Sequence, residues 1–399
     1  MVFLILFIFD AYVYFSISRY VKSYINFMIP VLGYQVIQSV LIPLIGLAFG
    51  TLRVSYVDYE IVCALIIYNF SLLLGVKLKK DSLKDVFFFV WDVFDIKILQ
   101  KKSFRYALLG LIALTLLIMG ILSIGVVSII KNPRNFYQFH REGIGAFYSF
   151  YISSILLLEI FALYSLRHNF SKLLFVFICF VFLYFGASKE SILYAVFIIV
   201  YFYDEKHRLK FRNLILFAII MIGLMGVLMI LQGTAGTMSD ILNYFDYYAN
   251  TRLFFEKIFN EKRLFHGEIF FSSFYKYLPR MIVGVKPKVY GAVLIQEELF
   301  PGLAEENHYP AFMGIVYKMG DFGFVELFIR AMITGMIFGI KYDYYKNRKS
   351  FWSIIIYMSN FYAIFWLFGG WMNYLYWICI CVLIMAVNFM KYFRPMEIK

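Results

Sequence analysis

Residues 56–80 read YVDYEIVCALIIYNFSLLLGVKLKK. The stretch 56–76 supplies the roughly twenty apolar residues that a helix needs to cross a hydrocarbon core. Lys77, Lys79 and Lys80 follow at once, and basic residues abutting a span mark its cytoplasmic end. Lys84, Lys97, Lys101, Lys102 and Arg105 extend that marking, so segment 77–105 is expected inside. Within 81–104, Asp81, Asp85, Asp92 and Asp95 alternate with Phe87, Phe88, Phe89, Trp91 and Phe94, the pattern of a helix lying at the interface.

Outward from this anchor, apolar segments recur at 2–18, 24–50, 106–130, 144–166, 172–186, 190–203, 213–232, 311–340, 351–369 and 371–390. With 56–76 they make about eleven spans. The sixth and seventh, joined through Gly186-Ala187-Ser188-Lys189-Glu190, read as a tight hairpin. Counting along the chain places four basic groups inside: Arg19 with Lys22; Arg167 with Lys172; Lys206, Arg208, Lys210 and Arg212; Lys341, Lys346, Arg348 and Lys349. The tail residues Lys391, Arg394 and Lys399 fall there too. One topology satisfies every strongly basic short loop: N-terminus out, C-terminus in. Residues 1–18 have no basic leader or small-residue cleavage site and read as a first span.

Three regions follow: N-terminal transmembrane helices over 1–232, a large extracytoplasmic loop over 233–310, and C-terminal transmembrane helices over 311–399. The loop carries Phe, Tyr and Leu throughout, punctuated by Pro279, Pro287, Pro301 and Pro310. It is expected to fold as short helices capping the membrane domain.

Composition agrees with this class. The 399 residues are 62% hydrophobic and only 16% charged, with mean hydropathy +0.76, far beyond a globular domain. The expected fold is an all-α polytopic membrane protein. The net charge of +13 sits mostly in short loops. It therefore reports orientation and anionic headgroups, with no basic soluble domain for nucleic acid. Cys63, Cys179, Cys379 and Cys381 lie singly in apolar segments, which gives neither a disulfide framework nor a metal site. Without a D-x-D pair, a His/Cys cluster or a Gly-rich phosphate loop, no metal and no cofactor is expected.

Yet Arg134, Arg141, Lys189, Arg252, Arg263, Arg280, Lys286 and Lys288 count to the outer side, where insertion requires no cations. A planar guanidinium matches phosphate oxygens, and a departing pyrophosphate needs two or more such donors. Arg134 and Arg141, seven apart, share a face if helical. Arg280, Lys286 and Lys288 surround Pro279 and Pro287 in a basic turn. The competing reading is solvated loop charge, neutralised by acids such as Glu256, Glu297 and Glu298. Against it, segment 131–143 holds four basic or His residues and Glu142 as its acid.

His308 lies in Glu305-Glu306-Asn307-His308-Tyr309-Pro310, at the lip of a span. A hydroxyl that attacks an anomeric carbon loses a proton, and an imidazole can take it. Glu305 or Glu306 could orient the ring. The alternative is an interfacial His bonded to a carbonyl; His140 and His266 have less context. Among intramembrane charges, Glu326 and Arg330 are spaced for a helix-internal ion pair, while Lys318 and Asp321 are candidates to line the site. Glu159 has two readings, a proton-relay group or a protonated acid hydrogen-bonded to a neighbouring helix.

Three motifs carry a resemblance. Phe185-Gly186-Ala187-Ser188-Lys189-Glu190-Ser191 resembles the Gly-Ser-Arg-type turn of Wzy-type polysaccharide polymerases, relatives of the O-antigen ligases, with Lys189 in place of the commoner Arg. Arg134 with Gly145, and Arg280 with Gly291, match their Arg-x10-Gly pattern. His308-x11-Gly320-x-x-Gly323 is similar to the ligase-type His-x10-Gly-x-x-Gly pattern, one residue longer. The resemblance implies a metal-independent glycosyltransferase of GT-C-like fold in the bacterial cytoplasmic membrane. Such an enzyme moves a glycan from undecaprenyl pyrophosphate onto the end sugar of another lipid-linked repeat unit. It implies catalytic roles for His308, Arg280 and Glu306. Arg134, Arg141, Lys189, Arg252, Lys286 and Lys288 would bind pyrophosphate or glycan. Membrane lipids, a chain-length regulator and a flippase are the implied partners.

Two rivals share the substrate. A lipid-linked oligosaccharide flippase predicts pseudo-symmetric halves, and no internal repeat is visible. A membrane O-acyltransferase would place its basic and His residues near the cytoplasmic face, whereas His308 counts outside. A solute transporter is the generic alternative.

Overall fold

The computed structural model describes residues 1–79, 85, 88, 102–122, 125–131, 145–186, 189–231, 246–277, 287, 289–302 and 310–362. Among them no strand occurs. The chain opens with α1 (Val2–Val21). The second helix, α2, comprises Met28–Val36 and Ile42–Ala48 joined by a π turn at Ile37–Leu41. Helix α3 is Tyr56–Leu78, and a reciprocal capping box between Ser55 and Asp58 starts it. Then come α4 (Lys102–Leu122), α5 (Val126–Lys131), α6 (Gly145–Ser165), α7 (Asn169–Gly186), α8 (Lys189–His207) and α9 (Phe211–Leu231).

Short helices follow. They are α10 (Tyr248–Phe254, continued by a π turn at Phe255–Phe259), α11 (Glu268–Ser272, continued by a 3-10 turn at Ser273–Tyr277) and α12 (Val293–Leu299). Two longer helices close the described chain, α13 (Gly323–Arg348) and α14 (Phe351–Tyr362). Among the described residues six helices are long and apolar enough to cross a membrane: Val2–Val21, Met28–Ala48, Tyr56–Leu78, Arg105–Leu122, Asn169–Gly186 and Gly323–Arg348. Shorter apolar stretches lie at Phe150–Ser165 and Phe211–Ile220. This is an all-α polytopic membrane protein, as the composition implied.

Two expected spans are redrawn. The run 106–130 breaks at Gly125, whose φ of 88° separates α4 from α5. The run 311–340 is not one helix: 310–322 is a folded turn and the helix begins at Gly323. Phe312, Met313, Ile315, Val316 and Met319 in that turn are buried, so their apolarity answers to protein contacts rather than lipid. Irregular backbone is tolerated near a membrane where protein covers it. The interfacial helix expected over 81–104 lies almost wholly outside the described residues, but 102–104 belong to α4. Of the last two expected spans, 351–362 is described.

Helices α3 and α13 form the tightest seam. A Cβ built on Gly75 would lie 2.0 Å from the Met332 carbonyl oxygen, and one on Gly335 would lie 2.0 Å from that of Leu72. Gly339 continues the seam against Val76. Small residues four apart let two backbones touch, which dispersion and weak polar contacts then stabilise where the hydrophobic effect cannot act. Helix α1 packs on the same α3. A second group centres on α6, which is buried all round from Tyr151 to Ala162 and packs against α4, α7 and α8. Helix α14 ties the groups together: Tyr194 donates to the Met358 carbonyl at 2.6 Å, and Phe161 meets Phe351 edge-on at 5.6 Å.

The two ends of the bundle are chemically different. At one end Lys79 pairs with Asp343 and donates to Tyr20, joining α3, α13 and α1. Ser23 donates to Asp204 there at 2.6 Å, and Tyr342 to the Val21 carbonyl at 2.9 Å. Segments of the strongly basic loops thus meet one another. At the other end α10 and its π turn pack on α3.

Candidate functional site

The loop-side layer is built on two buried carboxylates. Asp58, in the first turn of α3, is fully buried. Its Oδ2 accepts the Ser55 backbone N–H at 2.7 Å, and its Oδ1 accepts the Tyr248 hydroxyl at 2.6 Å. Burial, with Asp58 beside it, pushes the Tyr248 phenol above its ordinary range. Arg252, one turn further along α10, brings Nε to 3.4 Å from the same Oδ1 and donates from Nη2 to Ser55 Oγ at 3.1 Å. Asn260 adds a bond to Glu60 at 2.9 Å. An acceptor in the first helical turn is favourable by itself, because free N–H groups point there; here it also draws in the loop.

The second carboxylate is Asp321, also fully buried. Its oxygens accept the backbone N–H groups of Gly267, Ile269 and Phe270 at 3.0, 3.0 and 2.9 Å. Asp321 therefore caps α11 from a distant part of the chain. The Phe265 N–H donates to the Gly320 carbonyl and the His266 N–H to that of Asp321, both at 3.1 Å. Glu326 in turn accepts the N–H groups of Asp321 and Phe322 at 2.9 and 3.0 Å. Arg330 pairs with Glu326 as the i, i+4 spacing predicts, and donates to the Tyr317 carbonyl at 3.0 Å. Lys318, the other candidate in this run, donates to the Tyr68 hydroxyl at 2.6 Å. Tyr68 stands twelve residues into α3, about 18 Å of helix beyond Tyr56, so the turn 310–322 reaches well down the bundle.

The start of that turn is fixed beside Arg252. The Pro310 carbonyl accepts from Gln296 at 3.0 Å, the Ala311 carbonyl from Asn250 at 2.9 Å, and the Met313 N–H donates to Thr251 Oγ1 at 3.0 Å. The chain that leaves His308 is thus held by the two residues preceding Arg252. Motif glycines occupy the seams. Gly291 has φ 58°, donates its N–H to Ser272 at 2.7 Å, and leaves no room for a Cβ, which would meet Ser273 Oγ at 2.8 Å. A Cβ on Gly320 would meet the Ile269 side chain at 2.5 Å.

The remaining sequence candidates divide sharply. His308, Arg280, Glu306, Arg134, Arg141, Lys286 and Lys288 lie outside the described residues. Lys189 opens α8, and its side chain lies outside the description. Arg263 is an exposed cation paired with Glu261 and Glu298. Glu159 is fully buried in α6, and neither of its oxygens accepts a hydrogen bond. The bond to a neighbouring helix, one of its two readings, is not formed among the described residues.

One polar group escaped the sequence reading. Asp10 of α1 is buried and accepts from Gln35 of α2 at 3.3 and 3.2 Å and from Asn69 of α3 at 2.7 Å. These residues are spread over three spans, each reading as an isolated polar interruption. The π turn of α2 begins two residues after Gln35, and such turns are frequent at functional sites.

Fold and site together define an integral membrane protein whose long loop is folded onto the ends of its spanning helices. Over 225 residues the chain is 25% identical to an O-antigen polymerase of Salmonella typhimurium, and equally to one of Salmonella typhi. Each alignment covers 55% of this chain and 54% of the relative, so the chain matches about half the length of these curated relatives. No family model matches the chain. No solved structure matches it either.

Proposed function

We propose that this chain is a membrane glycosyltransferase that polymerises undecaprenyl-pyrophosphate-linked oligosaccharide repeat units into surface polysaccharide, at the outer face of the bacterial cytoplasmic membrane. The observation that carries the reading is the similarity to O-antigen polymerases. The topology proposed with it, N-terminus out and C-terminus in, puts the basic loop ends of Lys79, Arg208 and Lys349 inside and the layer around Asp58 outside.

In this reading the hydroxyl oxygen of the acceptor's end sugar attacks the anomeric carbon of the donor glycan. The carbon–oxygen bond to the pyrophosphate breaks, and undecaprenyl pyrophosphate departs with the bonding electrons. The hydroxyl proton passes to His308, oriented by Glu306. Arg280 stabilises the charge growing on the leaving group. Arg134, Arg141, Lys189, Lys286 and Lys288 grip the two lipid pyrophosphates and the glycan. Arg252 joins this set with its charge already shared with Asp58. Holding donor and acceptor together supplies much of the acceleration, and no metal takes part. The tethering of Pro310, Ala311 and Met313 beside Arg252 supports a base close to Arg252.

The test is extension of a purified lipid-linked repeat unit by the purified chain in the presence of a chelator. Polymer of many units is the expected product, lost in Arg280→Ala and His308→Ala at unchanged membrane abundance. Full-length polymer from both variants overturns the site. Transport of single units without any extension overturns the activity in favour of a flippase.

A further inference from the structure

Helix α11 and its 3-10 continuation carry their aromatic residues on the wrong face for a water-soluble cap. Ile269 is buried, so close to Gly320 that a Cβ there would meet it, while Ser272 and Ser273 are bonded within the layer. Phe270, Phe271, Phe274 and Tyr275, at positions i, i+1, i+4 and i+5, share the opposite face. Phe271 is 71% exposed, and Phe274 and Tyr275 are exposed as well. The rings of Phe270 and Phe271 are 5.2 Å apart and those of Phe270 and Phe274 5.5 Å.

This face does not stop at the helix. The rings of Phe271 and Phe322 flank Gly267 together, since a Cβ built there would meet them at 3.4 and 3.5 Å. From Phe322 an exposed stripe runs down α13 through Val325, 66% exposed, and Ile329. These lie on the exposed side of a helix long and apolar enough to cross a membrane, where acyl chains would cover them. The carboxylate of Asp321, one residue before Phe322, holds the first turn of α11 at that level. An aromatic face in water forgoes the burial that stabilises apolar surface. In a bilayer the same face joins the apolar surface already in contact with acyl chains.

We propose that residues 268–277 form an interfacial foot. Phe271, Phe274 and Tyr275 insert into the leaflet beside the first turn of α13, and Asp321 locks the foot to that helix. The partner is the acyl-chain region of ordinary phospholipid, and the inference holds whether or not the chain transfers sugars. It makes the long loop a membrane-bound layer rather than a cap facing water.

The experiment uses the full-length protein with Phe274→p-acetylphenylalanine carrying a ketone-reactive nitroxide. It is reconstituted in phosphatidylethanolamine–phosphatidylglycerol vesicles free of polyprenyl lipids. Power saturation is expected to find the label open to dissolved oxygen and closed to a water-soluble nickel chelate, matching a label at Val325. A label at Lys257, exposed in the same layer, is expected to admit the chelate. Labels at Phe271 and Tyr275 repeat the measurement should position 274 disturb folding. Chelate access at 274 equal to that at 257 overturns the proposal. So does exclusion of both reagents, which means that protein covers the face. Dipolar broadening that disappears on dilution with unlabelled protein overturns it too, by revealing a second copy as the occupant.

Discussion

The two ends of α3 are both tied by ion pairs, and the ties do different work. At one end Lys79 joins Asp343 and Tyr20, so spanning helices hold one another. At the other, Asp58 joins Arg252 and Tyr248, so a spanning helix holds the loop layer. The first tie belongs to the bundle. The second belongs to the attachment of the layer that would carry the substrate. An arginine on the loop side therefore cannot be counted as a substrate ligand from its position alone, because Arg252 already has a structural counter-ion.

Substitutions sharpen this contrast in order of expected effect. Gly335→Leu drives a side chain into the Leu72 carbonyl, so a loss of about 3 kcal/mol or more is expected, read as aggregation in detergent or a fallen melting temperature. Lys79→Met removes the cation that faces Asp343 in a mostly buried site, at a cost of about 3 kcal/mol. Asp343→Asn in the same chain should recover part of that loss in a melting assay. Asp321→Ala leaves three backbone donors without an acceptor. It is expected to cost about 2–3 kcal/mol locally, seen as faster proteolysis within 246–302 while the Lys79 end stays protected.

Smaller effects discriminate more finely. Arg252→Ala and Asp58→Asn, combined in a double-mutant cycle, should show a coupling on the order of 1 kcal/mol. If Arg252 only clamps the layer, glycan polymer should fall in step with stability in all three variants. A loss of polymer from Arg252→Lys at unchanged stability would mark it as a ligand of the substrate. Arg263→Ala, a pair on the exposed surface, is expected to move stability by no more than about 0.5 kcal/mol.

Much of this was readable in advance. The alternation of basic and non-basic loops set which helix ends share a side, and the contacts of Lys79, Asp204 and Asp343 agree with it. The pairing of Glu326 with Arg330 followed from spacing alone. The run 311–340 misled because the apolar residues of 310–322 are covered by protein and those of α13 partly by lipid, and hydropathy weighs both environments alike. Gly314, Gly320 and Gly323 were the available signal that the run was not one continuous helix. Gly335 and Gly339, four apart in an apolar segment, likewise announced a close helix crossing. Nothing local announced that Asp10, Gln35 and Asn69 would meet, since each lies on a different span.

By itself the sequence determined the all-α membrane class of the protein and which basic loops gather at one end of its helices, because transfer free energy and loop charge act residue by residue. Only the tertiary structure decided that Asp58 and Asp321 would bind the loop layer to the bundle, and that Arg252 would share its charge with the former. Those outcomes depend on distances between residues far apart in the chain, and packing geometry alone fixes such distances.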